Sequence, residues 1–533
     1  MFILAPLFGD GHGRRYCGAP TVSSDPDMIV IGSGPNGLVA AALLARRGYR
    51  VLVLEANRRR VGGALGSEAL TLPGFVHDVG GGFFPFGESS PAFRELDLVG
   101  AGVEWRHARY ESCHPALDGS FACIGRGETL ATAPFGSARD ADAFRALARA
   151  HAGRERELLA VLLGPFPSVR PLVRFGALNL LDIARMFIRS ARGLSSRLFE
   201  SEAARRVLPS LGLHVDVGPD DRFGAALGYM LAMTATTGGY GVPMGGAQNL
   251  TNAMQVRLAE HGGQIWPGAR VKRVLVRNGN AAAVVLDDGT EVAARRAILA
   301  DTSPASLLLN MIDEREVPGW VRAFMKRFPQ GWGTFKVDWA LSGPVPWQVE
   351  AARESAVVHA GESIDDLSRF TREVRDGKLP ERPYLVIGQQ TLSDPTRAPA
   401  GKHTLYCYSH VPGRVDGGWA EARERFADRV EARIEELAPG FRASILGRHI
   451  MSPADLEGWN ANLVGGDLGG GSNAWHRQLV FRPLFPYFRY RMPVKSLYLC
   501  SSYAHPGAGV HGMCGANAAA IAAHDAERRG IVV

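Results

Sequence analysis

Met28-Ile29-Val30-Ile31-Gly32-Ser33-Gly34-Pro35-Asn36-Gly37-Leu38-Val39-Ala40-Ala41-Ala42-Leu43-Leu44-Ala45 is the stretch on which the fold turns. Its first four residues form a short apolar run suited to a parallel strand buried on both faces. A G-x-G-x-x-G turn follows at once. The run of small residues after it reads as a helix able to lie close on a sheet. Arg46 and Arg47 fall in the last turn, where cations suit the negative end of the helix dipole, and Gly48 is a left-handed cap. Val51-Leu52-Val53-Leu54 is a second buried strand, and it ends in Glu55. Each glycine has its own work: Gly32 permits the tight turn, Gly34 lets backbone approach a pyrophosphate, and Gly37 allows close helix–strand packing. Ser33, Pro35 and Asn36 complete the loop, and the helix start presents free N–H groups to phosphate. Glu55 is placed to accept hydrogen bonds from ribose hydroxyls and to repel a 2′-phosphate.

Around this unit the composition is that of an ordinary globular chain. It has 533 residues, 46% hydrophobic and 21% charged, with 64 glycines. That length predicts two or three domains, large enough to need no metal or disulfide staple. The net charge of +7 does not indicate nucleic acid. Only six of the 60 basic residues are Lys, and no basic run extends beyond Arg58-Arg59-Arg60; nucleic-acid binding needs a concentrated basic face. The six cysteines are scattered and contain no C-x-x-C pair, which removes a redox dithiol and a zinc ribbon. A reducing, cytoplasmic compartment is expected. The apolar start, Met1 to Leu7, has no basic residue before it, so no signal peptide is expected.

Residues 223–256 and 496–524 carry no charge if His is counted neutral. Neither reads as a membrane span, because Thr234-Ala235-Thr236-Thr237-Gly238-Gly239 and His505-Pro506-Gly507-Ala508-Gly509 interrupt them, and irregular backbone is not left facing lipid. They read instead as walls of a buried cofactor groove.

Four further segments bear on the cofactor. After Glu55 come Ala56 and then Gly62-Gly63-Ala64, followed by Gly80-Gly81-Gly82. Residues 264–301 read as strands with hairpin turns at Asn278-Gly279 and Asp288-Gly289, closing on the apolar strand that contains Ala300. Gly241-Val242-Pro243-Met244-Gly245-Gly246 carries a P-x-G-G pattern opening a helix. Residues 501–519 form a glycine-rich turn entering an alanine-rich helix, whose N-terminal dipole would favour the negative charge of a reduced flavin. Together these resemble the phytoene-desaturase-like family of FAD-dependent carotenoid/retinoid oxidoreductases. Ser393-Asp394-Pro395-Thr396-Arg397 and Gly465-Gly466-Asp467…Gln478…Arg482-Pro483 resemble the branch that contains pyridine nucleotide-disulphide oxidoreductase domain-containing protein 2. The extra residue between Glu55 and Gly62 departs from the pattern and leaves open which of Arg58, Arg59 and Arg60 faces the cofactor.

The resemblance implies an α/β, two-domain flavoprotein: a Rossmann-type FAD domain with parallel sheet and β-meander, and an inserted α+β substrate domain. Residues 26–110, 241–305 and 461–533 are expected to build the FAD domain. Residues 111–240 and 306–460 would build the substrate or lid domain, with 1–25 an extension. It implies non-covalent FAD held by Gly32, Ser33, Gly34, Pro35, Asn36, Gly37, Glu55, Ala56, Gly62, Gly63, Ala64, Val271 (through its backbone, to the adenine), Ala300, Gly509, Gly512 and Met513. No metal site is expected. The activity implied is desaturase- or dehydrogenase-like, passing hydride from a small, largely apolar organic substrate to flavin N5. Oxygen, quinone and NAD remain open as electron acceptors. An amine oxidase-type flavoenzyme and a flavin-binding regulatory protein without turnover are the alternatives; for the former, Trp475 and Tyr503 are the candidate aromatics. Among His77, Asp78, His476, His505 and His511, the last is the catalytic candidate, because it precedes Gly512 at the inferred flavin edge. Residues 172–191 read as a basic amphipathic helix, either a lid or dimer contact with a solvated Arg face or a helix able to dock on anionic lipid, and 419–437 as a surface helix.

Overall fold

The computed structural model describes residues 25–530, with the side chains of 529 and 530 left aside. The expectations for the extension, the signal peptide and Cys17 lie outside the described residues. The Met28–Ile31 run is the central strand of a five-stranded, all-parallel sheet in the order 497–499, 297–300, 28–31, 51–55, 264–267. Four segments far apart in sequence supply it. Its central strands are buried throughout, which is why they read as unbroken Val/Ile/Leu runs rather than alternating ones. The Pro35–Arg46 helix packs on this sheet through Leu38, Val39 and Ala40–Ala42, all fully buried. Pro35 stands at its first turn, where a missing N–H costs nothing. The Met513–Gly530 helix lies against it, so close that a Cβ on Gly515 would stand 1.9 Å from the Asn36 carbonyl oxygen. The expected meander is present as Val271–Arg277, Asn280–Leu286 and Glu291–Ala293. Asn278 and Gly279 both take positive φ at its first turn.

A second, seven-stranded sheet runs in the order 445–451, 333–341, 403–411, 385–388, 355–360, 110–113, 123–124. Strand alternation gives it two unlike faces. Leu405, Cys407, Leu385 and Ile387 point to one core, beneath the Trp419–Leu437 helix. That helix contributes Phe426, Val430 and Ile434, and Glu431 accepts a 3.0 Å hydrogen bond from the buried Trp339 indole. The other face carries Tyr406, Tyr408 and His410 toward the first sheet.

The expected amphipathic helix over 172–191 is corrected. Gly176 takes φ +81 and divides it into Val169–Phe175 and Ala177–Phe187, with Ala191–Leu198 following. Its apolar residues therefore do not share a face: Phe175 and Ile183 are buried, whereas Leu178 is 85% exposed. No helix among the described residues is long and apolar enough to cross a membrane.

A buried ionic knot ties the 394–397 segment, beside the seven-stranded sheet, to the Ser67–Glu68/His77–Asp78 hairpin and the 243–247 turn. The Arg397 guanidinium, fully buried, donates to Asp78 Oδ2 at 2.9 Å, Asp394 Oδ2 at 2.9 Å and the Pro243 carbonyl at 3.1 Å. Asp78 Oδ1 in turn accepts from the Ala247 N–H at 2.8 Å and the Ser67 hydroxyl at 2.7 Å. Asp394 Oδ2 accepts from the Gly245 N–H at 2.7 Å. The P-x-G-G turn is thus held from both sides. Arg397→Ala strands two buried carboxylates, and we expect a loss of about 3–5 kcal/mol in denaturant unfolding. Arg397→Lys restores less than half of it, because an ammonium lacks the planar fork that meets two carboxylates at once.

Candidate functional site

Between the sheets lies a cavity of about 530 Å³ that begins at the glycine loop and ends at the second sheet. Gly32, Ser33, Gly34, Pro35, Asn36, Glu55, Ala56, Gly63, Ala64, Val271 and Gly509 line it. Gly37, Gly62, Ala300, Gly512, Met513 and His511 do not border it; they stand behind the wall. Gly62 donates to Ser33 Oγ at 3.2 Å. A Cβ on Gly512 would meet Val39 at 2.7 Å and Phe93 at 2.9 Å, so this position is reserved for packing.

The loop is a bare backbone cradle. A Cβ on Gly34 would stand 2.3 Å from Asp301 Oδ2, one on Gly63 2.6 Å from Gly34 Cα, and one on Gly37 2.5 Å from the Gly32 carbonyl oxygen. Three chain segments therefore meet with no room for a side chain, and close backbone approach of this kind is what a pyrophosphate requires. Glu55 Oε2 accepts from the Ser33 N–H at 2.9 Å, and Oε1 from the Asn57 N–H at 2.7 Å. Its carboxylate is thereby fixed beside the cavity at the end of its strand. These residues fit a dinucleotide. Of the three arginines left open, Arg60 lines the cavity; it donates to the Gly63 carbonyl at 2.9 Å and stacks over Trp459 at 4.1 Å.

Asp301 is the residue that sequence reasoning missed. It follows the Ala297–Ala300 strand as Glu55 ends its own, and that shared position was the available signal. Its Oδ2 accepts from the Gly37 N–H at 3.0 Å, at the N-terminus of the Pro35–Arg46 helix. Burial raises its carboxyl to about 7, outweighing the Gly37 N–H and aided by the charge of Glu55.

The remaining candidates are placed as follows. His511 is buried, its Nδ1 accepts from the Met513 N–H at 3.0 Å, and burial lowers its imidazole to about 3; it caps the last helix. His505 Nε2 bonds the Gly164 carbonyl at 3.0 Å. His77 Nε2 meets Thr71 Oγ1 at 2.7 Å, and its Nδ1 lies 3.6 Å from Asp338. Trp475 is half exposed beside Phe223, and the Tyr503 hydroxyl donates to the Asn462 carbonyl at 2.8 Å. Neither of these aromatics lines the cavity. Among the described residues no cluster suited to a metal is present.

The far end of the cavity was not read from sequence. Leu227, Leu231, Val357 and Val386 make it apolar, while His214, Tyr240, Tyr406, Tyr408 and His410 add aromatic and polar groups. Between the two ends, Asp467 accepts from the N–H groups of Gly331 (2.7 Å), Gly469 (2.7 Å) and Gly471 (2.8 Å). Arg482, fully buried, donates to the carbonyls of Gly469, Gly470 and Ser502. The second motif quoted above therefore shapes the wall around Gly469 and Gly470.

A parallel-sheet nucleotide fold opening through one cavity onto a mixed sheet defines the two-domain flavoprotein class. Residues 30–97 match the NAD(P)-binding Rossmann-like domain family. The chain is 30% identical to pyridine nucleotide-disulfide oxidoreductase domain-containing protein 2 of Rattus norvegicus, over 94% of this chain and 93% of that protein. It is 25% identical to the neurosporene-forming phytoene desaturase of Rhodobacter capsulatus, over 91% of each. An oxidoreductase from Methanosarcina mazei shares the fold, with a TM-score of 0.62 and 17% identity over 93% of this chain and 99% of that one. The chain belongs to the phytoene-desaturase-like family of FAD-dependent oxidoreductases.

A carboxyl that titrates near neutrality beside the phosphate-binding helix end gives a pH signature. Below about 7 Asp301 is protonated and uncharged; above it, a carboxylate faces the incoming pyrophosphate. FAD affinity is therefore expected to fall as pH rises through about 7, by at most about tenfold per pH unit for one linked proton. In the flavin-free protein the same raised carboxyl favours folding at low pH, a contribution lost as pH rises from the ordinary carboxylate value of 3.8 up to about 7. Fluorescence titration of FAD from pH 6 to 9 checks this. Asp301→Asn should flatten the profile, and an unchanged slope in that variant removes Asp301 from the linkage.

Proposed function

We propose that this protein dehydrogenates a small, largely apolar organic molecule held at the far end of the cavity. FAD, when bound, supplies the hydride acceptor; the chain supplies position and dryness. In this reading Gly32–Asn36, Gly63 and Ala64 receive the pyrophosphate, Glu55 the ribose and the Val271 backbone the adenine. Residues 80–82 and 508–510 take the end of the cofactor nearest the substrate, and His511 holds the last helix in place behind them. Leu227, Leu231, Val357 and Val386 receive the apolar body and exclude water. The division into 26–110, 241–305 and 461–533 for cofactor, with 111–240 and 306–460 for substrate, is part of the same proposal. The observation that carries it is the single cavity with a dinucleotide cradle at one end and an apolar wall at the other.

The test is release of chromophore from purified protein, followed by anaerobic mixing with isoprenoids, plain and carbonyl-bearing, and with primary amines. Near-equimolar FAD and bleaching by isoprenoids but not by amines are expected. Bleaching by amines alone would move the assignment to an amine oxidase. Flavin that no compound bleaches would favour the regulatory reading.

The two short helices at 169–187 suit delivery of such a molecule. Val173, Leu178 and Ile188 are exposed among exposed Arg170, Arg174, Arg185 and Arg189, a combination that favours an anionic lipid surface. Sedimentation with phosphatidylserine vesicles but not phosphatidylcholine vesicles, reversed by about 0.5 M salt, is expected; equal sedimentation with both would dismiss the charge argument.

A further inference from the structure

Three neighbouring strands place His359, Val386 and Tyr408 side by side, since His359 pairs with Val386 and Val386 with Tyr408. All three point to the cavity side of the seven-stranded sheet, and Val386 and Tyr408 border the cavity itself. His214 reaches across from the Val207–Gly212 helix end. Its Nε2 lies 2.8 Å from His359 Nε2, and its Nδ1 3.2 Å from the Tyr408 hydroxyl. Beneath them, His359 stacks on His114 with centroids 4.4 Å apart and planes 8° from parallel.

The direction of this chain of hydrogen bonds follows from its buried end. Burial keeps the imidazoles neutral: His114 and His359 are pushed well below the ordinary value, and His214 to about 3. Each ring then carries one proton, on whichever nitrogen can use it. His359 Nδ1 is buried with no hydrogen-bond partner among the described residues. An orphaned buried N–H is rare in proteins, so the proton is assigned to Nε2, which has a partner. His359 Nε2–H therefore donates to His214 Nε2, which must be bare. The proton of His214 then stands on Nδ1 and is donated to the Tyr408 oxygen. Tyr408 is thus an acceptor toward His214, and among the described residues no other hydrogen-bond partner takes its own proton. The neighbouring tyrosines differ: Tyr406 donates to the Gly80 carbonyl at 2.8 Å, and Tyr240 to the Leu231 carbonyl at 3.0 Å.

We infer that Tyr408, oriented by His214 and His359, presents its hydroxyl proton to the cavity and selects substrates that carry a hydrogen-bond acceptor, such as a carbonyl oxygen, on an otherwise apolar body. This rests on the proposed placement of the substrate at the far end of the cavity and narrows its chemical class. Tyr408 is the specificity-determining residue, and His214 and His359 are positioning residues. An unadorned hydrocarbon would leave the phenol proton unpaired in a dry site, a cost that a matched acceptor removes.

Acetophenone and α-methylstyrene test this, because they differ only in C=O against C=CH₂. Calorimetric titration of the flavin-containing protein should show acetophenone binding about fivefold more tightly, the effect of one neutral hydrogen bond. In Tyr408→Phe the two should bind equally, with α-methylstyrene gaining affinity because no phenol proton is left unpaired. Absence of the preference in the wild type, including failure of either compound to bind, overturns the inference, as does its persistence in the variant. The wild-type comparison decides even if the variant is unstable. The heats are read without the flavin spectrum, so bound flavin that no isoprenoid bleaches would refute the proposed function separately from this inference.

Discussion

The guanidinium of Arg397 holds together stretches of chain up to 319 residues apart. Without it the 66–79 hairpin, the 243–247 turn and the 394–397 segment would each carry buried polar groups with no counterpart. None of these segments lines the cavity, but the 66–79 hairpin runs between Leu65 and Gly80, which do. A fully desolvated ion cluster is a poor source of net stability, since removing the charges from water offsets most of their attraction. Its value is geometric: few other arrangements satisfy Arg397, Asp78 and Asp394 together. That accounts physically for a Ser-Asp-Pro-Thr-Arg motif in a protein whose chemistry happens elsewhere.

Charge within the interior is arranged in the same spirit. Lys336 and Asp338 pair on the seven-stranded sheet, and the ammonium also lies 4.5 Å from the Tyr406 ring. Burial alone would raise the Asp338 carboxyl, but Lys336 and His77 hold it below the usual carboxylate range. Tyr406, fixed at its ring and at its hydroxyl, makes a rigid wall, whereas the Tyr408 hydroxyl two residues on has His214 as its one hydrogen-bond partner among the described residues. Two tyrosines on one face of one strand therefore take different roles, decided by what stands opposite each hydroxyl.

Legibility in the sequence followed the range of the interactions. The strand–turn–helix–strand unit, the Asn278-Gly279 turn and the apolar face of 419–437 are local, and periodicity and turn chemistry suffice to read them. The helix over 172–191 misread as continuous because charge and apolar spacing carry across Gly176, while the backbone reverses there. Asp301 stood in plain view as the last residue of an apolar strand; what could not be read was that its carboxylate meets Gly37 from across the sheet. The Tyr408–His214–His359 chain needs registers among strands and a helix separated by up to 194 residues. Alternating Tyr406, Tyr408 and His410 was the only local trace of it.

The parallel sheet also has consequences for the order of events during synthesis. Its central strand, 28–31, is made before its neighbour on one side, 297–300, and the edge strand beyond that, 497–499. Between those dates the ribosome delivers all seven strands of the other sheet. The glycine loop is therefore produced early but left without Asp301 and the Met513–Gly530 helix behind it until nearly the whole described chain has emerged. Contacts of such long sequence separation form slowly and leave apolar strands exposed meanwhile. The cradle is accordingly complete only once the Met513–Gly530 helix has been made, and apolar strand edges of the parallel sheet stay open until then.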